Sequence, residues 1–174
     1  MRLSLLSCFI LCLAFNGWAQ KVNRDYSFYP QENGNVYFIH PQKGYKSDQK
    51  EATKGLTYDI TYLSGRDSAS YTFTYYLQDV LQINAVILLD HNGKEVYKGE
   101  PEIYYVQPKR NYWQHRAKVE IPYDLLEQIY QEESPYNLIL QGNNKTVRYT
   151  LNPKKWAKQS TLISRIFQVV KYNQ

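Results

Sequence analysis

Between Leu56 and Tyr76 apolar and polar residues alternate with period two. Leu56, Tyr58, Ile60 and Tyr62 interleave with Thr57, Asp59 and Thr61. After Ser64-Gly65-Arg66-Asp67, Tyr71, Phe73 and Tyr75 interleave with Ser70, Thr72 and Thr74. Two alternating runs around a short polar turn predict a β-hairpin, with the Tyr/Phe side in the core and the Thr side in water. Tyr112 to Ile121 carries the same signal: Trp113, His115, Ala117, Val119 and Ile121 face one way, and Gln114, Arg116, Lys118 and Glu120 the other.

Ile83 to Leu89 is apolar on both faces except at Asn84, as expected of a central strand. Asp90-His91-Asn92-Gly93 follows, and Asn-Gly predicts a two-residue hairpin turn leading into 94–98. Glu102 to Val106 is a short strand between Pro101 and Pro108. Residues 136–141 and 146–151 form a last hairpin around Gly142-Asn143-Asn144-Lys145. Earlier in the chain, 21–34 reads as an extended aromatic arm, 35–40 as a first strand, and 41–55 as an exposed polar loop whose lysines are solvated.

Two segments switch to helical spacing. Leu125, Leu126, Ile129 and Tyr130 share one side of a short helix opened by Pro122. Asn152-Pro153 supplies a capping side chain and a first-turn proline. Trp156, Ile163, Ile166, Phe167 and Val170 then recur at helical steps. About nine short strands, one connecting helix and one terminal helix predict a mainly antiparallel β-sandwich of immunoglobulin-like or Greek-key type. An up-and-down barrel closed by a helix is the alternative. The expected organisation is a leader over 1–19, the arm, first strand and loop over 20–55, the sandwich over 56–151, and the helix over 152–174 packed on the same domain.

The leader changes the cellular setting. Arg2 precedes an uncharged apolar run from Leu5 to Phe15, and Gly17 and Ala19 occupy the two small positions that a signal peptidase reads. This is the pattern of a secretory signal peptide, too short for a membrane span. The expected product is exported, to the periplasm or exterior of a bacterium. Leu5-Leu6-Ser7-Cys8 loosely resembles a lipid-attachment box. Only seven residues precede Cys8, however, and the apolar run continues past it, so no lipid anchor is expected. Cys8 and Cys12 both fall in the leader, so the exported chain has no thiol for a disulfide, a nucleophile or a metal.

The net charge of +5 is unevenly spread. From 152 to 174 there are five cations (Lys154, Lys155, Lys158, Arg165 and Lys171) and no acid, while the rest of the exported chain is nearly balanced. No domain-wide nucleic-acid footprint is expected. The terminal helix is expected either to dock on the sandwich or to touch an anionic surface through Lys154, Lys155, Lys158 and Arg165.

Candidate chemistry is sparse. His40, His91 and His115 have no neighbours at metal-ligand spacing, and no nucleophile elbow, phosphate loop or dinucleotide-binding glycine pattern is present. No metal or cofactor is expected. All eighteen tyrosines lie after the leader, which suits sheet packing or, alternatively, an aromatic ligand platform. These features point to a non-enzymatic exported module that binds a glycan or another envelope protein, with Tyr104, Tyr105, Tyr112 and Trp113 as candidate contacts. The first alternative is a hydrolase of envelope or dietary polymers using Glu102, Glu120 or His115. The second is a barrel that carries a small apolar ligand. Asp67-Ser68-Ala69 resembles a short O-glycosylation site of some bacterial envelope proteins, which makes Ser68 a candidate for modification.

Overall fold

The computed structural model describes residues 24–173. The expected leader over 1–19 and its expected cleavage site therefore lie outside the described residues. Ten strands, all paired antiparallel, form one open sheet: β1 (Tyr26–Gln31), β2 (Gly34–Lys46), β3 (Leu56–Leu63), β4 (Ser68–Leu77), β5 (Ile83–Leu89), β6 (Glu95–Gly99), β7 (Glu102–Lys109), β8 (Tyr112–Pro122), β9 (Asn137–Gly142) and β10 (Thr146–Leu151). Helix α1 (Tyr123–Gln131) links β8 to β9, and α2 (Pro153–Tyr172) follows β10.

The strand order is β6-β5-β9-β10-β2-β3-β4-β8-β7, with β1 beside β2. Chain neighbours are not sheet neighbours throughout, so this is not the up-and-down barrel. The sheet bends along β2, whose pairing with β3 shifts register between Ile39 and Gln42 and again between Lys43 and Tyr45. Beyond the bend, β2 holds β10 through only Thr150↔Lys46 and Leu151↔Tyr45. Gly44 sits in the bend at φ +152, and a Cβ there would lie 2.5 Å from Leu151 Cδ1. A side chain there would have to displace Leu151 and hold a positive φ that favours glycine.

The bend brings β5, β6, β9 and β10 over the inner face of the other strands as the second layer of a sandwich. The Tyr97 hydroxyl on β6 donates to the Glu120 carbonyl on β8 at 2.8 Å. One hydrophobic cluster runs through both layers and both helices, from Tyr37 to Val170. Half of the tyrosines lie in it, nine of eighteen, so sheet packing accounts for much of their abundance. Fully burying one such ring contributes on the order of 2–3 kcal/mol. The interior between the layers is filled by rings such as Tyr58, Phe73, Tyr75 and Tyr149, a poor setting for the carrier alternative.

Helix α2 starts where the sequence predicts, with the Asn152 side chain accepting from the Lys154 N–H at 3.0 Å and Pro153 in the first turn. It docks: Trp156 stacks on Tyr130 and donates from its indole N–H to the Glu132 carbonyl at 2.9 Å. The Tyr58 hydroxyl donates to Gln159 Oε1 at 2.9 Å. Among the described residues, no helix is long and apolar enough to cross a membrane.

Several local expectations need correction. The arm contains β1, which forms a hairpin with β2 through Gln31↔Gly34. The first strand runs on to Lys46, deep into the expected loop. Strand β5 is second from the edge, not central. The β5–β6 connection is longer than an Asn-Gly turn, because Leu89 pairs with Glu95. There Asp90 Oδ1 accepts from the N–H groups of Asn92 and Lys94, both at 2.8 Å, and of Asn92-Gly93 only Gly93 takes a positive φ. The Thr side of the β3–β4 hairpin is not simply solvated: Asp59, Thr72 and Thr74 are buried.

Candidate functional site

The candidate site is the outer face of β3, β4, β8 and β7. It is a sheet surface whose residues are set by strand register. Across β4, β8 and β7 run the rows Tyr76–Gln114–Gln107, Thr74–Arg116–Tyr105 and Thr72–Lys118–Glu102, with Ser70–Glu120 beyond them and Tyr112–Lys109 at the hairpin end. A register shift between Ile103 and Tyr105 marks a bulge in β7. A bulge inserts a residue and re-aims its neighbours. Tyr104 and Tyr105 therefore both engage outer-face partners although they are adjacent in sequence. Tyr104 lies 6.0 Å from the Lys118 ammonium, and the Tyr105 hydroxyl accepts from Gln114 Nε2 at 3.0 Å.

The centre of the face is a neutralised, partly buried pair. Arg116 donates from Nη2 to Asp59 at 2.8 Å and from Nη1 to Thr74 Oγ1 at 2.9 Å. Burial pushes the Asp59 carboxyl above its ordinary range, against the pull of Arg116. Next to it, Lys118 bridges Glu102 at 2.9 Å and Glu120 at 3.1 Å, and these bonds raise its pKa. Burial lifts Glu120, but bonds from Ser70, Lys118 and Ser68 outweigh it and leave the carboxyl below its usual value.

The hairpin end is different. The segment before β3 is pinned beside β4, with the Thr53 N–H donating to the Tyr76 carbonyl at 3.0 Å and the Gln78 N–H to the Glu51 carbonyl at 2.9 Å. This places Lys54 against two rings, 4.6 Å from the Tyr112 centroid and 5.4 Å from that of Tyr76. Its ammonium donates to the Tyr112 hydroxyl at 2.6 Å, and the two rings meet edge-on at 5.6 Å. That bond, with the charges of Lys54, Lys109 and Arg110, holds the phenol below its ordinary pKa. Gln114 Oε1 takes hydrogen bonds from Gln107 and Lys109, both at 3.4 Å.

Three of the four predicted aromatic contacts thus share the outer face: Tyr104, Tyr105 and Tyr112. Trp113 does not. It is half-buried on the side of Leu77 and His115. His115 is buried on the inner face, stacked on Tyr75 at 4.6 Å, with Nε2 accepting from the Leu81 N–H at 3.2 Å. Burial pushes its pKa down. Glu102 and Glu120 meet at Lys118 on the outer face, so the structure unites the two carboxylates and keeps His115 away from both.

On α2, Trp156, Ile163, Ile166, Phe167 and Val170 point into the core, and Lys154, Lys155, Lys158 and Arg165 are exposed. The side it offers outward is polar and cationic. Ser68 opens β4 opposite Pro122, half-buried, with Oγ donating to Glu120 Oε2 at 3.3 Å.

Lys54, Tyr76, Gln107, Lys109, Arg110 and Gln114 carry no signal in the sequence. Lys54 reads there as one cation in a solvated run, and its contact with Tyr112 exists only once the strands pair. No family model, curated protein or solved structure matches the chain.

Proposed function

We propose that the chain is an exported, non-enzymatic module that binds a polysaccharide on the outer face of β3, β4, β8 and β7. The observation that carries this reading is the set of Tyr104, Tyr105, Tyr112 and Tyr76 with the amides of Gln107 and Gln114 on one face of the sheet. Sugar rings present C–H faces that pack on aromatic rings and hydroxyls that pair with amides and charges. A strip that spreads both kinds of group across several strands suits an extended polymer better than a small molecule, which favours a concave pocket. The leader pattern supports an envelope or extracellular setting for such a ligand.

Affinity gel electrophoresis against a panel of neutral and acidic polysaccharides tests the proposal. The protein is expected to be retarded by at least one polymer. The Tyr104→Ala/Tyr105→Ala variant should migrate freely while melting at the wild-type temperature, because Tyr104 is exposed and Tyr105 only half-buried. Free migration through every gel, or equal retardation of the variant, would overturn the proposal.

A further inference from the structure

Charge is compensated over most of the outer face but not at its hairpin end. Arg116 is matched by Asp59, and Lys118 by Glu102 and Glu120. Lys54, Lys109 and Arg110 gather around Tyr112, and none of them makes an ion pair among the described residues. Lys54 and Lys109 donate to neutral groups, the Tyr112 phenol and the Gln114 amide. Three like charges therefore crowd one aromatic pair, an arrangement that repels itself until an anion joins it.

A second observation concerns the backbone. The β7–β8 turn is the pair Arg110-Asn111, between Lys109↔Tyr112. Arg110 stands at φ 58 and is the only non-glycine with positive φ among the described residues. Glycine or asparagine takes this conformation at lower cost, so an arginine here breaks the local rule for a tight hairpin turn. Strained residues of this kind concentrate at binding sites. Here the strained residue puts a cationic side chain at the tip of the hairpin, two residues before Tyr112 and close enough for its charge to act on that phenol.

From this geometry we infer that the polysaccharide is acidic and carries one carboxylate per sugar, with the carboxylates of successive sugars held by Lys54, Lys109 and Arg110 and one sugar ring packed on Tyr112. The ligand class rests on the polysaccharide reading above. Three cations match the charge of a polyuronate segment, whereas a polymer with several sulfates per sugar would leave most of its charge unmet. The strip from Arg116 to Lys118, where Lys118 faces both Glu102 and Glu120 and offers no free cation, would take the neighbouring sugars through the rings of Tyr104 and Tyr105, with their carboxylates turned to water.

Electrophoresis in gels containing polygalacturonate, hydroxyethylcellulose or dextran sulfate separates the outcomes. Polygalacturonate should retard the wild type, less so as salt rises. A Lys54→Gln/Lys109→Gln/Arg110→Asn variant should lose about tenfold or more in affinity, the scale of a lost charge-assisted hydrogen bond. All three side chains are exposed, so the variant should fold, and its melting curve checks this. A Lys154→Gln/Lys155→Gln/Lys158→Gln variant removes the same charge from α2 and should bind like wild type. Equal loss in that variant would assign binding to general basicity and overturn the site. Retardation by hydroxyethylcellulose as strong as by polygalacturonate, unchanged in the hairpin variant, would overturn the acidic ligand but leave the polysaccharide reading standing. Retardation by dextran sulfate alone would overturn the carboxylate. Free migration in all three gels would overturn the acidic ligand, and the polysaccharide reading would then stand or fall on the wider panel.

Discussion

The two faces of β3, β4, β8 and β7 come from the same alternation of residues, and both carry tyrosines, yet the rings do different work. On the inner face Tyr58, Tyr71, Tyr75 and Phe73 are closed off by the second layer and the helices, and Tyr58 stacks on Tyr71 at 4.8 Å. On the outer face Tyr105 and Tyr112 hold their hydroxyls against Gln114 and Lys54. The inner rings gain by losing water. The outer rings keep an edge in water and order the charges beside them. A tyrosine therefore reports nothing about function until its side of the sheet is known, and that side depends on register.

Substitutions should separate the faces. Phe73→Ala removes a fully buried ring at the centre of the inner face and should cost about 3–5 kcal/mol in denaturant unfolding. A loss below about 1 kcal/mol would mean that the inner face is not a packed core. Asp59→Ala probes the one buried charge of the outer face. It leaves Arg116 without its partner and should cost about 1–3 kcal/mol, less than the ring because Arg116 still reaches water. Asp59 also sets a pH dependence. Its carboxyl titrates above the ordinary 3.8 in the folded state, so its ionisation disfavours folding as pH rises from 3.8 through the raised value. Asp59→Asn should remove that decline, and an unchanged pH profile would contradict the assignment.

Smaller effects belong to the hairpin tip. Arg110→Gly relieves a left-handed backbone and should stabilise the protein by about 1 kcal/mol while weakening binding, opposite signs that a purely structural arginine would not give. Smallest is the Tyr112 titration. Followed by phenolate absorbance, one tyrosine should ionise below the ordinary value of 10.0, and Lys54→Gln should move it upward. A first ionisation that ignores Lys54 would break the contact on which the site is built.

Much of the fold is legible in the sequence, because 56–76 and 112–121 alternate cleanly and a half-buried strand needs little else. Helix α2 is legible for a similar reason, since Asn152-Pro153 and the Trp156 to Val170 spacing state both its start and its buried side. The misread parts depend on strand pairing rather than on local alternation. The pairing of β1 with β2 and the extension of β2 past Pro41 come from neighbouring strands, and the apolar outer residues of β5, Ile87 and Leu89, meet Ile139 in a surface groove rather than mark a central strand. The site was half legible. Tyr104, Tyr105 and Tyr112 stand out by composition, but the bulge that aligns Tyr104 with Tyr105 is a property of the β7–β8 pairing. Arg110-Asn111 announces a turn only through Asn111, whereas the positive φ falls on Arg110, a residue with no preference for it. Lys54 reaches Tyr112 across a sequence separation that no local pattern records.

Chemical-shift mapping of the isotope-labelled protein titrated with oligogalacturonate puts the outer face to the most direct test. Shifts confined to Lys54, Tyr76, the 104–114 hairpin and Arg116 are the predicted result. Shifts centred on α2 or on β5, β9 and β10, or none at millimolar ligand, would contradict the account.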